Sequence, residues 1–150
     1  MIEIRRIKFS EAAEHPDFDA LLEEYGDEAG MYGMPPPNCQ VGMYDQMQDA
    51  GIIHVVGAFK QDSLVGVIVI VVSVIPHYGV AMATTESFFV RPAERKTGAG
   101  LLLLKEAENL SAEYGAFGLL VSAPFGGKLA EVLPNKGYTE TNRVFFRRLS

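Results

Sequence analysis

Two rhythms of apolar residues divide this chain into strands and helices. Residues 2–9 alternate apolar and polar positions, the period of a half-buried strand. Ser10 is placed to cap a short helical segment, and Pro16 suits the first turn of a helix. Phe18, Leu21, Leu22 and Tyr25 follow at i, i+3, i+4 and i+7, one helical face. Gly26 and Gly30 are read as its end. Residues 31–40 form a loop around Pro35-Pro36-Pro37, and Val41, Tyr44 and Met47 mark a second short helix closed by Gly51. Three strands then follow as a meander over 52–59, 64–75 and 80–90, separated by Gln61-Asp62-Ser63 and Pro76-His77-Tyr78-Gly79. Leu103, Ala107, Leu110 and Tyr114 keep a helical stripe that Gly115 stops. A buried strand over 117–123, a short helix over 127–133 broken at Pro134, and a final strand over 138–149 complete the order β-α-α-β-β-β-α-β-α-β. The helical crossover into the strand at 117–123 predicts that it runs parallel to its predecessor, in a mixed sheet. Several strands lack clean alternation, which predicts cover on both faces.

Composition narrows the class. A chain of 150 residues is expected to form a single domain over 1–150. Its 48% hydrophobic and 21% charged residues argue for a packed core and against disorder. The net charge of −6 disfavours a nucleic-acid binder, which needs a basic surface. The N-terminus lacks the long apolar core of a signal peptide. The apolar run over 64–75 is too short to cross a membrane as a helix, and its Val and Ile content reads as a buried strand. Cys39 stands alone, so no internal disulfide is possible. A cytoplasmic protein with no membrane partner is the expectation.

Candidate chemistry concentrates at Arg95-Lys96-Thr97-Gly98-Ala99-Gly100, between the strand ending at Val90 and the helix opening with Leu101. The first turn of a helix offers backbone N–H groups without intrahelical partners, and the macrodipole adds partial positive charge. Gly98 and Gly100 let backbone approach a phosphate closely. Arg95 and Lys96 add full charges. The loop is not a Walker A motif, since no Gly-Lys-Ser/Thr follows, and Arg replaces the first Gly of a dinucleotide fingerprint. A cradle for phosphate on an unrelated nucleotide-binding domain, or a plain connector, remains open on these residues alone.

The wider stretch resembles the GNAT superfamily of acyl-CoA-dependent N-acyltransferases. Glu86-Ser87-Phe88-Phe89-Val90-Arg91-Pro92-Ala93-Glu94-Arg95-Lys96-Thr97-Gly98-Ala99-Gly100-Leu101-Leu102 is similar to that family's strand, Val-x-Pro, Arg-x-x-Gly-x-Gly and helix series. Val55-Val56-Gly57-Ala58-Phe59 and Ser63-Leu64-Val65-Gly66-Val67 resemble the preceding hairpin. Leu119-Leu120-Val121 and Lys136-Gly137-Tyr138 resemble the next strand and the terminal Gly-aromatic signature. The resemblance spans about residues 52–149. It implies an α/β fold of GNAT type and acetyl-CoA, or another acyl-CoA, as co-substrate. The pyrophosphate would meet the amides of Arg95, Lys96, Thr97, Gly98, Ala99, Gly100 and Leu101. The pantetheine arm would lie along Phe88, Phe89 and Val90 through main-chain contacts, like an added strand. Lys96 or Lys105 is the candidate for the 3′-phosphate, with Lys105 otherwise an ordinary solvated residue. The implied activity is N-acetyl transfer to a primary amine of a small molecule or peptide, by direct transfer. A non-catalytic acyl-CoA-binding module on the same fold is the alternative, and a homodimer through residues such as Val144-Phe145-Phe146 is a further expectation.

Acyl transfer to an amine needs a base, and an acid for the leaving thiolate is optional because thiols are already fairly acidic. Glu86, in an otherwise uncharged run, is the base candidate or else a strand carboxylate paired with a nearby arginine. Strand alternation puts it on one face with Phe88 and Val90. The family resemblance offers the N–H of Phe88 or Val90 as oxyanion donors. The sequence departs from the family where an acidic Tyr often stands, at Leu133, and where an Asn often follows the downstream strand, at Gly126. Tyr138 is a candidate acid or a core aromatic, and Ser122 a proton donor or a structural strand-end residue. His15, His54 and His77 have no metal-ligand spacing. Tyr32, Met34 and Tyr44 are pocket walls or plain core. Glu23, Glu24, Asp27, Glu28, Asp45 and Asp49 either attract a cationic acceptor or form a solvated helix face.

Overall fold

A computed structural model describes residues 1–29 and 33–150. Tyr32, one of the expected pocket residues, and Gly30, one of the two glycines read as a helix end, lie outside the described residues. Four antiparallel strands form a meander: β1 (Ile2–Ile7), β2 (Ile53–Lys60), β3 (Ser63–Ile75) and β4 (Val80–Val90). A fifth, β5 (Leu119–Leu120), joins β4 in parallel, as the crossover predicted. The sheet order is β1-β2-β3-β4-β5. Helices α1 (Phe9–Glu14), α2 (Phe18–Ala29) and α3 (Val41–Asp49) occupy the chain between β1 and β2. Helix α4 (Ala99–Glu113) bridges β4 and β5, and α5 (Lys128–Val132) follows β5.

The Val/Ile run of β3 has helices on both faces, so alternation is unnecessary there. Val55, Val67, Val69 and Phe89 face α1–α3 with Phe9, Phe18 and Leu21. Val56, Ile68, Ile70 and Val90 face α4 with Leu103, Ala107 and Leu110. Gly66 permits the close seating of α4. A Cβ there would stand 3.0 Å from the Phe89 carbonyl oxygen and 3.1 Å from Leu103 Cδ1.

Three expectations change. Ser10 lies within α1, where Glu11 accepts a hydrogen bond from the Lys8 N–H at 3.3 Å instead. Helix α2 runs through Gly26 to Ala29. Its glycine serves packing rather than termination, because a Cβ at Gly26 would stand 2.7 Å from Pro37 Cδ. Downstream of α4 the strands shrink. The run expected as a buried strand pairs only at two positions, and Phe117 and Leu120 are exposed. Residues 139–150 carry no regular secondary structure, and Val144 and Phe145 are 84% and 89% exposed. A strand exists only by pairing, and a two-residue β5 offers its expected neighbour almost no edge.

Candidate functional site

One irregularity in β4 organises the site. Val69 is opposite Ser87 while Ile70 is opposite Thr85, so Glu86 is the extra residue of a β-bulge. A bulge re-aims side chains. Regular alternation would set Glu86 with Phe88 and Val90, which face α4. Instead Glu86 lines a cavity on the opposite face, with Ser87 and Phe89. The shared face expected for Glu86, Phe88 and Val90 is therefore corrected by the bulge.

The cavity, of about 410 Å³, lies between the sheet, helices α1–α3 and residues 37–40. The Tyr44 hydroxyl, from α3, donates a short hydrogen bond to Glu86 Oε1. Tyr44 is itself held flat against Phe9, with ring centroids 3.8 Å apart. Tyr25 meets Phe89 edge-on at 5.5 Å. Burial, reinforced by the bond to Glu86, pushes the Tyr44 hydroxyl well above its ordinary value, so it remains a donor. Burial and then the Glu86 charge likewise raise the Cys39 thiol, which disfavours its nucleophilic thiolate.

Beyond the bulge, β4 loses its outer neighbour. The Phe117 N–H donates to the Ala81 carbonyl at 2.8 Å and the Ala83 N–H to Gly118 at 3.0 Å. By Ser122 the main-chain ladder has ended, and its N–H donates to the Thr85 hydroxyl at 3.0 Å. The Arg91 N–H donates inward to Val65 at 2.9 Å. Strand alternation then turns the N–H groups of Val90 and Phe88 outward, to the edge that β5 has left. This open edge leads to the glycine loop.

Residues Pro92–Thr97 form a 3₁₀ turn, and Gly98 at φ 87° redirects the chain into α4. No atom stands within 4 Å of a Cβ built on Gly98, so the backbone there faces open space. The Thr97 hydroxyl donates to the Glu94 carbonyl at 2.5 Å, Ala99 is buried, and Gly100 and Leu101 occupy the first helical turn. Lys96 is exposed. Arg95 is less free than its sequence position suggests: Nε donates to the Val90 carbonyl at 3.0 Å, Nη1 donates to Glu28, and the guanidinium lies 5.3 Å from the Phe89 ring centre. Arg91 donates to both Glu24 oxygens at 3.1 and 2.9 Å. That contact, against an opposing burial effect, holds the Glu24 carboxyl below its ordinary value.

Tyr138 stands apart. Its hydroxyl donates to Glu108 on α4 at 2.8 Å, and it is not among the residues lining the cavity. Burial and then this bond raise the pKa of the Tyr138 hydroxyl above its ordinary value, which weakens it as a proton donor. Lys105 pairs with Glu108 at 3.7 Å. Met34 is exposed, and His54 stacks on Tyr114 at 3.9 Å on the β2 face near α4. Sequence reasoning missed the Tyr44–Glu86 pair, whose members are 42 positions apart; only the placement of Tyr44 in the pocket-forming segment hinted at it.

Solved structures share this architecture across the whole chain. A GNAT family acetyltransferase of Staphylococcus aureus matches with a TM-score of 0.67 at 15% identity, covering 99% of this chain and 98% of its own. The fold is that of the GNAT acetyltransferases. A ribosomal-protein-alanine N-acetyltransferase from Brucella melitensis biovar Abortus 2308 matches this GNAT-fold chain with a TM-score of 0.73 at 16% identity, covering 100% of both chains. An aminoglycoside acetyltransferase from an uncultured soil metagenomic sample, in complex with sisomicin, matches with a TM-score of 0.73 at 16% identity, covering 99% and 97%. No protein-family model and no curated protein matches the sequence. The two names point to very different acceptors, so the shared fold does not by itself fix a substrate. Among the described residues no helix is long and apolar enough to cross a membrane.

Proposed function

We propose that this chain is a single-domain, cytoplasmic N-acetyltransferase that moves an acetyl group from acetyl-CoA to a primary amine by direct transfer. The observation that carries the proposal is the bulged Glu86. Its carboxylate enters a cavity at the head of a strand edge whose outward N–H groups run toward a helix N-terminus.

The residues present fit the co-substrate. Gly98 has open space above it, and Gly100 and Leu101 are first-turn residues. The main chain of 95–101 would hold the pyrophosphate, with Lys96 adding charge. The open edge at Phe88, Phe89 and Val90 would take the pantetheine arm as an added strand. Acetyl-CoA, when bound, would supply the acetyl group as a thioester, with the C–S bond breaking as the N–C bond forms and coenzyme A leaving as a thiolate that can take its proton from solvent.

An amine reaches the site mostly as an ammonium ion and must lose a proton before it can attack. Glu86 Oε2 accepts that proton while the Tyr44 hydroxyl holds Oε1 in place. The outward N–H of Phe88 or Val90 donates to the oxygen on which negative charge develops. Protonated Cys39 takes no part, which suits direct transfer. The proposal gives Tyr138 no proton transfer, since its hydroxyl is engaged by Glu108. A homodimer fits the exposed run Val144, Phe145 and Phe146, and a monomeric mass in solution would refute that part.

Two variants test the reading. Glu86→Gln is expected to keep acetyl-CoA binding while lowering turnover by roughly 10²–10⁴-fold, the range for a lost general base. Gly98→Glu, combined with Gly100→Glu, is expected to abolish binding in a folded protein. Wild-type protein that binds acetyl-CoA but acetylates no amine would support the binding-module alternative. Absence of binding to the wild type would overturn both.

A further inference from the structure

The cavity carries one charge. Glu86 is the only ionisable side chain charged at neutral pH among its described lining residues. The other walls are mostly apolar, with Phe9, Leu22, Tyr25, Met47 and Phe89 among them, and the uncharged Asn38, Gln40 and Ser87 are their polar members. Its volume of about 410 Å³ lies toward the lower end of ligand cavities, roughly 300–1,000 Å³.

From this arrangement we infer that the acceptor is a compact primary amine bearing a single positive charge on an apolar, ring-bearing body. The inference rests on the acetyltransferase reading of the same site. One ammonium ion meets Glu86, and the remaining surface of the ligand meets rings and thioether chains. A polyamine or aminoglycoside would carry additional ammonium groups into walls that offer them no carboxylate. Stripping water from an unpaired charge is costly.

The acidic residues that the sequence offers as a lure for polycations do not alter this. Glu24 and Glu28 are engaged by Arg91 and Arg95, and neither lines the cavity. Asp45 and Asp49 are also absent from its lining. The two ring contacts, Phe9 on Tyr44 and Tyr25 on Phe89, fix the walls in place, so the cavity presents a prepared aromatic slot.

The test separates binding from turnover. Calorimetry of 2-phenylethylamine and of spermidine with the full chain, without acyl donor, is expected to favour 2-phenylethylamine by about tenfold or more, the scale of apolar-pocket discrimination. Met43, largely exposed at the rim, gives a variant that should fold. Met43→Glu supplies a second carboxylate and is expected to shift the preference toward spermidine by about tenfold, the effect of one further charged contact. Tighter binding of spermidine by the wild type, or a preference unchanged in Met43→Glu, would overturn the inference. Selective binding of 2-phenylethylamine without acetylation would uphold the pocket chemistry and overturn the enzyme reading. Acetylation of spermidine in preference to 2-phenylethylamine would overturn the pocket chemistry alone.

Discussion

Replacing Gly26 by alanine sets two effects against each other, and the structure decides the sign. Gly26 lies inside α2, where alanine is favoured over glycine by about 1 kcal/mol. Helix propensity alone therefore makes Gly26→Ala stabilising. The new Cβ would, however, stand 2.7 Å from Pro37 Cδ and 2.9 Å from Pro37 Cγ, well inside the 3.4 Å at which ordinary contact begins. A proline ring cannot rotate away, because Cδ is bonded to its own backbone nitrogen. The segment carrying Pro37, Asn38 and Cys39 must shift, and all three line the cavity. Overpacking of this kind costs about 1–3 kcal/mol. The net expectation is destabilisation by about 1 kcal/mol, which lowers Tm by about 2–4 °C for a chain of this size. Urea denaturation of the variant beside wild type reads the free energy, and amine titration reads the displaced cavity wall as a raised KM. Stabilisation by about 0.5–1 kcal/mol with an unchanged amine KM would refute the close-packing argument.

His54 is pushed below its ordinary value of 6.5, first by burial and then by Arg6, and its Nε2 is buried without a partner among the described residues. The unfolded chain therefore binds more protons than the folded one as pH falls below 6.5: stability is whole above that pH and declines below it until the folded-state value is reached, by at most about 1.4 kcal/mol per pH unit for one proton. Urea midpoints between pH 7.5 and 5 should fall more steeply for wild type than for His54→Phe, and parallel profiles would remove His54 from the account. Gly66→Ala should lose about 1–3 kcal/mol by pressing on Leu103 and the Phe89 carbonyl, and a neutral thermal melt would show that α4 can yield. Thr85→Val removes the hydroxyl that accepts the Ser122 N–H, with an expected loss of about 1–3 kcal/mol; unchanged stability would mean that this amide finds another acceptor.

The central strands and α4 were legible because their signals are long and local. A Val/Ile run over 64–75 and a four-residue stripe from Leu103 to Tyr114 need no tertiary information to be read. The glycine loop was legible because Gly98 marks a left-handed backbone position between two strong elements. The bulge at Glu86 left no such mark. Its neighbours Thr85 and Ser87 suit an ordinary strand, and the extra residue is visible only against the register of β3. Tyr44 looked like core because its stacking on Phe9 is core packing, while its hydroxyl does something else. Gly26 was misread because a close approach by Pro37 from another segment uses the same residue type as a helix stop. The expected terminal strand failed for a related reason: alternation can propose a strand, but only a free partner edge can make one.

The two arginine–glutamate contacts join parts of the molecule with separate duties. Glu24 and Glu28 sit one helical turn apart on α2, the helix that also carries Leu21, Leu22 and Tyr25 into the cavity wall. Arg91 and Arg95 sit on the turn that leads into the glycine loop. A phosphate-bearing ligand that draws Arg95 toward itself competes with Glu28 for the same guanidinium, and slackens one of the two ties on that wall. Any change this makes in amine affinity must be matched by an equal factor in the affinity for the phosphate ligand once the amine is bound. A phosphate ligand and a cavity ligand would then sense each other through a swapped counter-ion.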